Sequence, residues 1–257
     1  MDILRKELNG IYAAQHLDTE RLEPAMLNGA LADASVLARV GSSCAVVTDA
    51  SRDRCYIYAG GFGILMGLSA GPRADVVFDS SDEDEIYNRI HPEDLVDKRM
   101  LEYEFFKMAH HLPPSEKTAW KATCRLRMLD ADGIYRYIDN STQVAHLSPS
   151  GTIWLILCRY DLSATQSPAS GIEPHIVNNR TGRITALQLG ERRGRVLTVR
   201  EKEILRMIQG GMASKQIAAA LGISLHTVNR HRQNIIEKLS VGNSVEAVAA
   251  ATAMNLL

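Results

Sequence analysis

The sequence predicts two domains of different class: an α+β front domain, an antiparallel sheet with helices, and an all-α domain of four helices at the C-terminal end. Three observations predict this. Strand-like runs separated by turn residues fill the middle of the chain. Short helical patterns broken by glycines follow from residue 197. The charge also changes sign between the two parts. Residues 190–257 hold ten Lys and Arg against five Asp and Glu, whereas the other 189 residues hold nineteen against twenty-five. A basic tail on an acidic body is the asymmetry expected of a nucleic-acid-binding module joined to another domain.

A length of 257 residues suits two domains, and 46% hydrophobic residues suffice for their cores. The cysteines Cys44, Cys55, Cys124 and Cys158 lie far apart with no C-x-x-C pair, so they read as small buried residues in a reducing compartment. The first residues hold no signal-peptide core, and the longest apolar strand-like run, Ile153 to Cys158, is far too short to span a membrane. The expectation is a soluble, cytoplasmic protein without membrane contact. No Gly-rich phosphate loop, nucleophile elbow or metal-spaced His/Glu set is present, so neither enzyme activity nor a metal or cofactor is expected.

The elements of the front part follow in order. Ile3, Leu4, Leu8, Ile11 and Tyr12, then Leu22 to Leu31, give helical signals across residues 1–39. Ala45 to Thr48 and Cys55 to Tyr58 read as a hairpin about Asp49–Arg54. Phe62 to Leu68 and Glu83 to Ile90 are short helices, and a longer one runs from Pro92 to about His110. In His91-Pro92-Glu93-Asp94, Pro92 suits the first helical position and the two acids suit the positive end of the helix dipole, a capping role rather than a metal site. His110 and His111 point about a hundred degrees apart on a helix, which does not suit one ion. Three strands close the domain at Trp120–Leu129, Tyr135–Leu147 and Thr152–Leu162. Residues 164–196 are a polar linker whose Glu173–Val177 and Ile184–Leu189 form a small hairpin. The hairpin either docks on the sheet or connects the domains, and the sequence leaves both open.

Two strands, several short helices and three antiparallel strands, with Ile90-His91-Pro92-Glu93-Asp94 and Asp132-Gly133-x-Tyr135-Arg136-Tyr137-Ile138, resemble a PAS domain over residues 40–163. The resemblance implies a signal-receiving domain with a ligand between sheet and helices. Phe62, Leu65, Ile86, Met100, Phe105, Leu126, Met128 and Ile138 would line such a pocket, or simply form the core. The Gly-x-Asn-Cys-Arg motif of flavin-attaching relatives is absent, so no covalent flavin is expected, and no ligand is nominated beyond an unidentified small molecule.

The C-terminal elements, residues 197–257, are read from punctuation. Thr198 and Glu201 form a capping box ahead of Ile204, Leu205 and Ile208. Gly210-Gly211 stops that helix; Ser214 caps the next, and Gly222 stops it. Ser224 caps a third helix, in which Val228, Ile235 and Leu239 make a buried stripe opposite His226, Asn229, Arg230 and Gln233. Two helices joined by a tight turn are the layout of a helix-turn-helix. The motifs Leu-Thr-x-Arg-Glu, Lys-x-Ile-Ala, Ile-Ser-x-x-Thr-Val-x-x-His and Lys-Leu closely resemble the LuxR-type, or GerE-type, DNA-binding domain of NarL-like regulators. That resemblance implies base contacts by Asn229, Arg230 and Gln233. It places Lys215, Ser224, Thr227, His231 and Lys238 at phosphates, with His231 equally suited to filling the crevice between helices. Arg192, Arg193 and Arg195 in the linker would add phosphate contacts. It also implies a dimerisation helix, fitted by Val245 to Met254 with Val245, Val248 and Thr252.

The expected function is a one-component, sequence-specific transcriptional regulator: the front domain receives a small-molecule or protein signal, and a homodimer binds double-stranded DNA. The alternatives are a phosphorylation-driven response regulator, with Asp49 as acceptor, and an enzyme-like front domain fused to the helix-turn-helix.

Overall fold

A computed structural model describes residues 17–68, 76–78, 83–189, 197–239, 241–253 and 256–257. The predicted helical signals at Ile3 to Tyr12 and the linker arginines Arg192, Arg193 and Arg195 lie outside the described residues. The chain divides into two compact units, one running to Leu187 and the other from Gln188 to Leu257.

The first unit is built on one antiparallel sheet. β1 (Cys44–Asp49) and β2 (Arg54–Ala59) form the predicted hairpin. Its turn is held by Asp49, whose Oδ1 accepts from the Ser51 N–H at 3.0 Å, and by Asp53 in the left-handed region. β4 (Trp120–Leu129), β5 (Tyr135–Leu147) and β6 (Ile153–Leu162) are the predicted closing strands, and β6 returns to pair with β1. A short β3 (Val76–Phe78), not predicted, pairs with β2. The strand order is β3-β2-β1-β6-β5-β4-β7-β8.

The last two strands move the predicted boundary. β7 (His175–Asn178) pairs with β4, and β8 (Ile184–Ala186) pairs with β7. The hairpin of the predicted 164–196 linker is therefore part of the sheet, and this unit ends at Leu187 rather than at residue 163. The cause is the free edge of β4, whose backbone groups need partners that β5 does not supply. The Asn178 side chain fixes the hairpin turn by accepting from the N–H groups of Arg180 and Thr181, each at 2.9 Å.

Helices cover both faces of the sheet. α1 (Pro24–Gly41), which starts in the predicted N-terminal segment 1–39 and runs just past it, buries Leu27, Ala30, Ala34 and Ala38 against Ala45, Val47, Tyr58, Trp154 and Leu155. Alanine every fourth residue lets the helix lie close on the strands. The other face carries Ile57, Leu126, Met128, Ile138 and Ile156, all buried. Below it lie α2 (Gly61–Met66), α3 (Asp84–Tyr87), α4 (Pro92–His111) and the short α5 (Pro114–Lys117), the last not predicted. β4 shows the period of two expected of a strand with one face inward: Ala122, Cys124, Leu126 and Met128 are buried and the residues between them are half-exposed.

The second unit holds α6 (Val199–Gln209), α7 (Ser214–Leu221), α8 (Leu225–Leu239) and α9 (Ser244–Ala253). Leu197, Ile204, Leu205, Ile217, Val228, Ile235, Leu239, Ala247 and Ala251 form its core. Each fully buried Leu, Ile or Val contributes about 1.5–3 kcal/mol by leaving water. Among the described residues, no helix is long and apolar enough to cross a membrane.

Candidate nucleic-acid interface

The C-terminal helices are fixed by local caps and a few long-range bonds. The Thr198 hydroxyl accepts from the Glu201 N–H at 3.2 Å, and Glu201 Oε2 accepts from the Thr198 N–H at 2.8 Å, so the predicted capping box is complete. The same Glu201 Oε2 receives the Lys238 ammonium at 2.6 Å, joining the start of α6 to the end of α8. Lys238, expected at a phosphate, has a side chain 14% exposed whose charge is answered inside the domain.

Ser214 is corrected. The N-cap of α7 is Ala213, whose N–H is accepted by the Gln216 side chain at 2.8 Å. The Ser214 hydroxyl instead accepts from Arg232 at 2.7 Å, and Arg232 donates as well to the Ser244 hydroxyl at 3.0 and 3.2 Å. One guanidinium thus ties α7, α8 and α9 together. Sequence reading missed this arginine because its partners lie twelve and eighteen residues away. Arg200 acts similarly, donating to the Leu221 carbonyl at 3.1 Å and pairing with Glu203.

The turn between α7 and α8 fits its sequence. Gly222 ends α7 at φ +63°, a conformation that costs a residue with a Cβ about 1 kcal/mol or more. Ser224 caps α8, its hydroxyl accepting from the Thr227 N–H at 3.0 Å. In α8, Val228, Ile235 and Leu239 face the core. His226, Asn229, Arg230 and Gln233 are exposed on the other side, and the side chains of Asn229 and Arg230 make no hydrogen bond to another described residue. Lys215 and Ser224 are exposed and Thr227 is half-buried. His231 is half-buried with Nδ1 enclosed and unpartnered, so that edge of the ring packs into the domain. In α9, Ala247 and Ala251 face inward; Val245 and Thr252 are exposed and Val248 is half-buried.

This arrangement presents an amide and a guanidinium from successive positions of one helix, on a surface held by caps rather than by those side chains. Residues 195–251 match the family model described as bacterial regulatory proteins, luxR family (GerE). The C-terminal unit is a LuxR-type helix-turn-helix domain. Over 61 residues the chain is 48% identical to the transcriptional regulatory protein UhpA of Escherichia coli strain K12, covering 24% of this chain and 31% of that protein. It is 43% identical over 61 residues to the transcriptional activator protein AnoR of Acinetobacter nosocomialis, covering 24% and 26%. The match therefore spans about a third or less of the length of these relatives. A VqmA dimer of Vibrio cholerae aligns over 88% of each chain at 16% identity and a TM-score of 0.30, a likeness that carries no argument.

Outside the LuxR-type domain, seven of the eight predicted pocket residues (Phe62, Ile86, Met100, Phe105, Leu126, Met128 and Ile138) are buried, and Leu65 is half-buried. An open groove of about 660 Å³ on the sheet, lined in part by Lys121, Arg125, Asp139, Arg159 and His175, includes none of the eight. Sequence reading did not anticipate a charged interior. Lys98 is fully buried and paired with Glu102, which also accepts from the Tyr87 hydroxyl at 3.0 Å. Burial alone would lower the Lys98 pKa; Glu102 and Glu83 reverse this and hold it above its ordinary value. Lys98 and Glu102 are an i,i+4 pair, which in sequence looks like any solvated helix pair. The four cysteines are buried and free, and burial pushes the Cys124 thiol up to about 12.

Pro92 opens α4 as predicted, and His91 is its N-cap, its Nδ1 accepting from the Glu93 N–H at 3.4 Å. His91, Glu93 and Asp94 bring ligand atoms within 4.8 Å of one another. The guanidinium of Arg127 stands on both carboxylates, at 2.7 Å from Asp94 and 2.8 Å from Glu93, where a cation would sit. Asp49 is fully buried, and its Oδ1 accepts from Ser51 and from Trp154 Nε1. It ends a strand of an antiparallel sheet, not the doubly wound parallel sheet that the phosphoacceptor alternative requires.

Proposed function

We propose that the chain is a sequence-specific, DNA-binding transcriptional regulator whose sheet unit receives a signal and whose LuxR-type domain binds DNA as a homodimer. The exposed face of α8 carries the reading. Asn229 pairs bidentately with adenine, Arg230 pairs bidentately with guanine, and Gln233 extends the face one turn on. Ser224, Lys215 and Thr227 position the helix on phosphates without specifying sequence. Val245 and Thr252, with Val248 beside them, form the dimerisation face of α9, and a two-fold dimer places two such helices on paired half-sites. The order of elements in the sheet unit supports the PAS-like reading, and its buried core leaves the input unidentified. The relatives' names as transcriptional regulators support the output.

The experiment is selection of binding sites from random duplex DNA by the full chain, repeated with Asn229→Ala/Arg230→Ala at two salt concentrations. The expected result is a motif with two half-sites that the double variant loses. Diffuse, salt-sensitive binding identical in both proteins would sink the reading of α8.

A further inference from the structure

Two buried carboxylates share the interior of the sheet unit, and they are answered differently. Glu102 collects the Lys98 ammonium and the hydroxyls of Tyr87 and Thr142. Glu83 is as deeply buried, 2% exposed, yet no cation stands within ion-pair distance of it among the described residues. Its carboxyl meets the Tyr160 hydroxyl at 2.5 Å. The Cys158 thiol of β6 is a second hydrogen-bonding partner of the Glu83 side chain, while Lys98 and Glu102 of α4, Tyr87 of α3 and Cys44 of β1 face it at longer range. Arg99 stands beyond, over the Tyr87 ring at 5.4 Å, and acts on Glu102. A phenol, a thiol and a distant ammonium do not offset the cost of burying a carboxylate, whereas a neutral acid incurs little of it.

We propose that Glu83 is a proton-binding site of the sheet unit: at neutral pH it is a carboxylic acid hydrogen-bonded to Tyr160, and release of its proton to solvent loosens α3 from the sheet. The placement gives the second half. The Glu83 carbonyl accepts from the N–H groups of Ile86 and Tyr87 at 2.9 and 2.8 Å and so starts α3, while its side chain reaches β6. One residue both begins the helix and pins it. An ionised Glu83 needs water, which it reaches only by moving the segment outward. Burial raises its pKa most and Glu102 adds; Lys98 and the hydrogen bonds from Tyr160 and Cys158 oppose, and the net direction is upward. With the folded pKa above the unfolded one, the contribution is complete below the usual carboxyl pKa and is lost as pH rises through the folded value. That the proton is a signal rests on the proposed sensing role; the proton site itself does not.

The test uses the full chain, Glu83→Gln and Tyr160→Phe. The expected result is a protonated-carboxyl C=O infrared band at neutral pH that Glu83→Gln lacks and Tyr160→Phe shifts. The folding equilibrium of the wild type should also fall against that of Glu83→Gln by up to about tenfold per pH unit above the usual carboxyl range. A wild-type spectrum without that band, or parallel pH profiles in the two proteins, overturns the proposal. Should Glu83→Gln fail to fold, the Tyr160→Phe comparison decides: a band that does not move overturns it. Operator binding that ignores pH while the band is present would reject the sensing role and leave the proton site standing.

Discussion

The two units keep their charge in opposite places. The sheet unit encloses Lys98, Glu102, Glu83 and Asp94, and its outward arginines are largely paired with acids. Among its described residues the LuxR-type domain encloses one ion pair, Glu201–Lys238, and leaves Asn229 and Arg230 on its surface. A buried charge stabilises little in net terms but is costly to leave alone, so the first pattern governs folding and internal state. An exposed, unengaged amide and guanidinium cost little to keep and are available to a partner. The contrast assigns the inside of one unit and the outside of the other to function.

The largest way to break it is Lys98→Ala. Glu102 would keep its burial and lose its cation, and the sheet unit should lose about 3–5 kcal/mol in denaturant unfolding. The helical transition should stay where it is, and a loss shared equally by both units would refute the separation. Next is Lys238→Met, which removes the Glu201–Lys238 pair of the helical unit. We expect a loss of about 3 kcal/mol there, with DNA affinity recovered when the domain is kept folded at low temperature. A phosphate role for Lys238 would instead weaken binding without unfolding. Arg230→Ala should leave both melting transitions unchanged and cost about 1–3 kcal/mol of discrimination at one base position, measured by competition with single-base variants. Thr198→Ala, which removes half of the capping box, should cost about 1 kcal/mol in the helical unit alone.

Local chemistry was legible in the sequence, and distant pairing was not. Thr198, Glu201, Gly222 and Ser224 act within a few residues of themselves, and each was read in its role. The cap expected at Ser214 fails, and the pairing of Lys238 is not foreseen, because their partners, Arg232 and Glu201, lie eighteen and thirty-seven residues off in sequence. The 175–186 hairpin was visible as a hairpin, but its partner strand is β4, some fifty residues earlier, so its docking was not. Of the interior, the apolar lining follows from the PAS resemblance, with a plain core as its alternative. The Lys98–Glu102 pair was missed, because an i,i+4 pair reads the same whether it meets water or a sheet.

The two added strands also bear on how such chains are cut and joined. A fragment ended near residue 163 would strip β7 from Trp120–Thr123 of β4 and leave that end of the strand with one side bare, a template for aggregation. A hybrid regulator spliced there would inherit that fault and be mistaken for one that cannot respond. The seam belongs after Leu187, where the hairpin has closed over the edge.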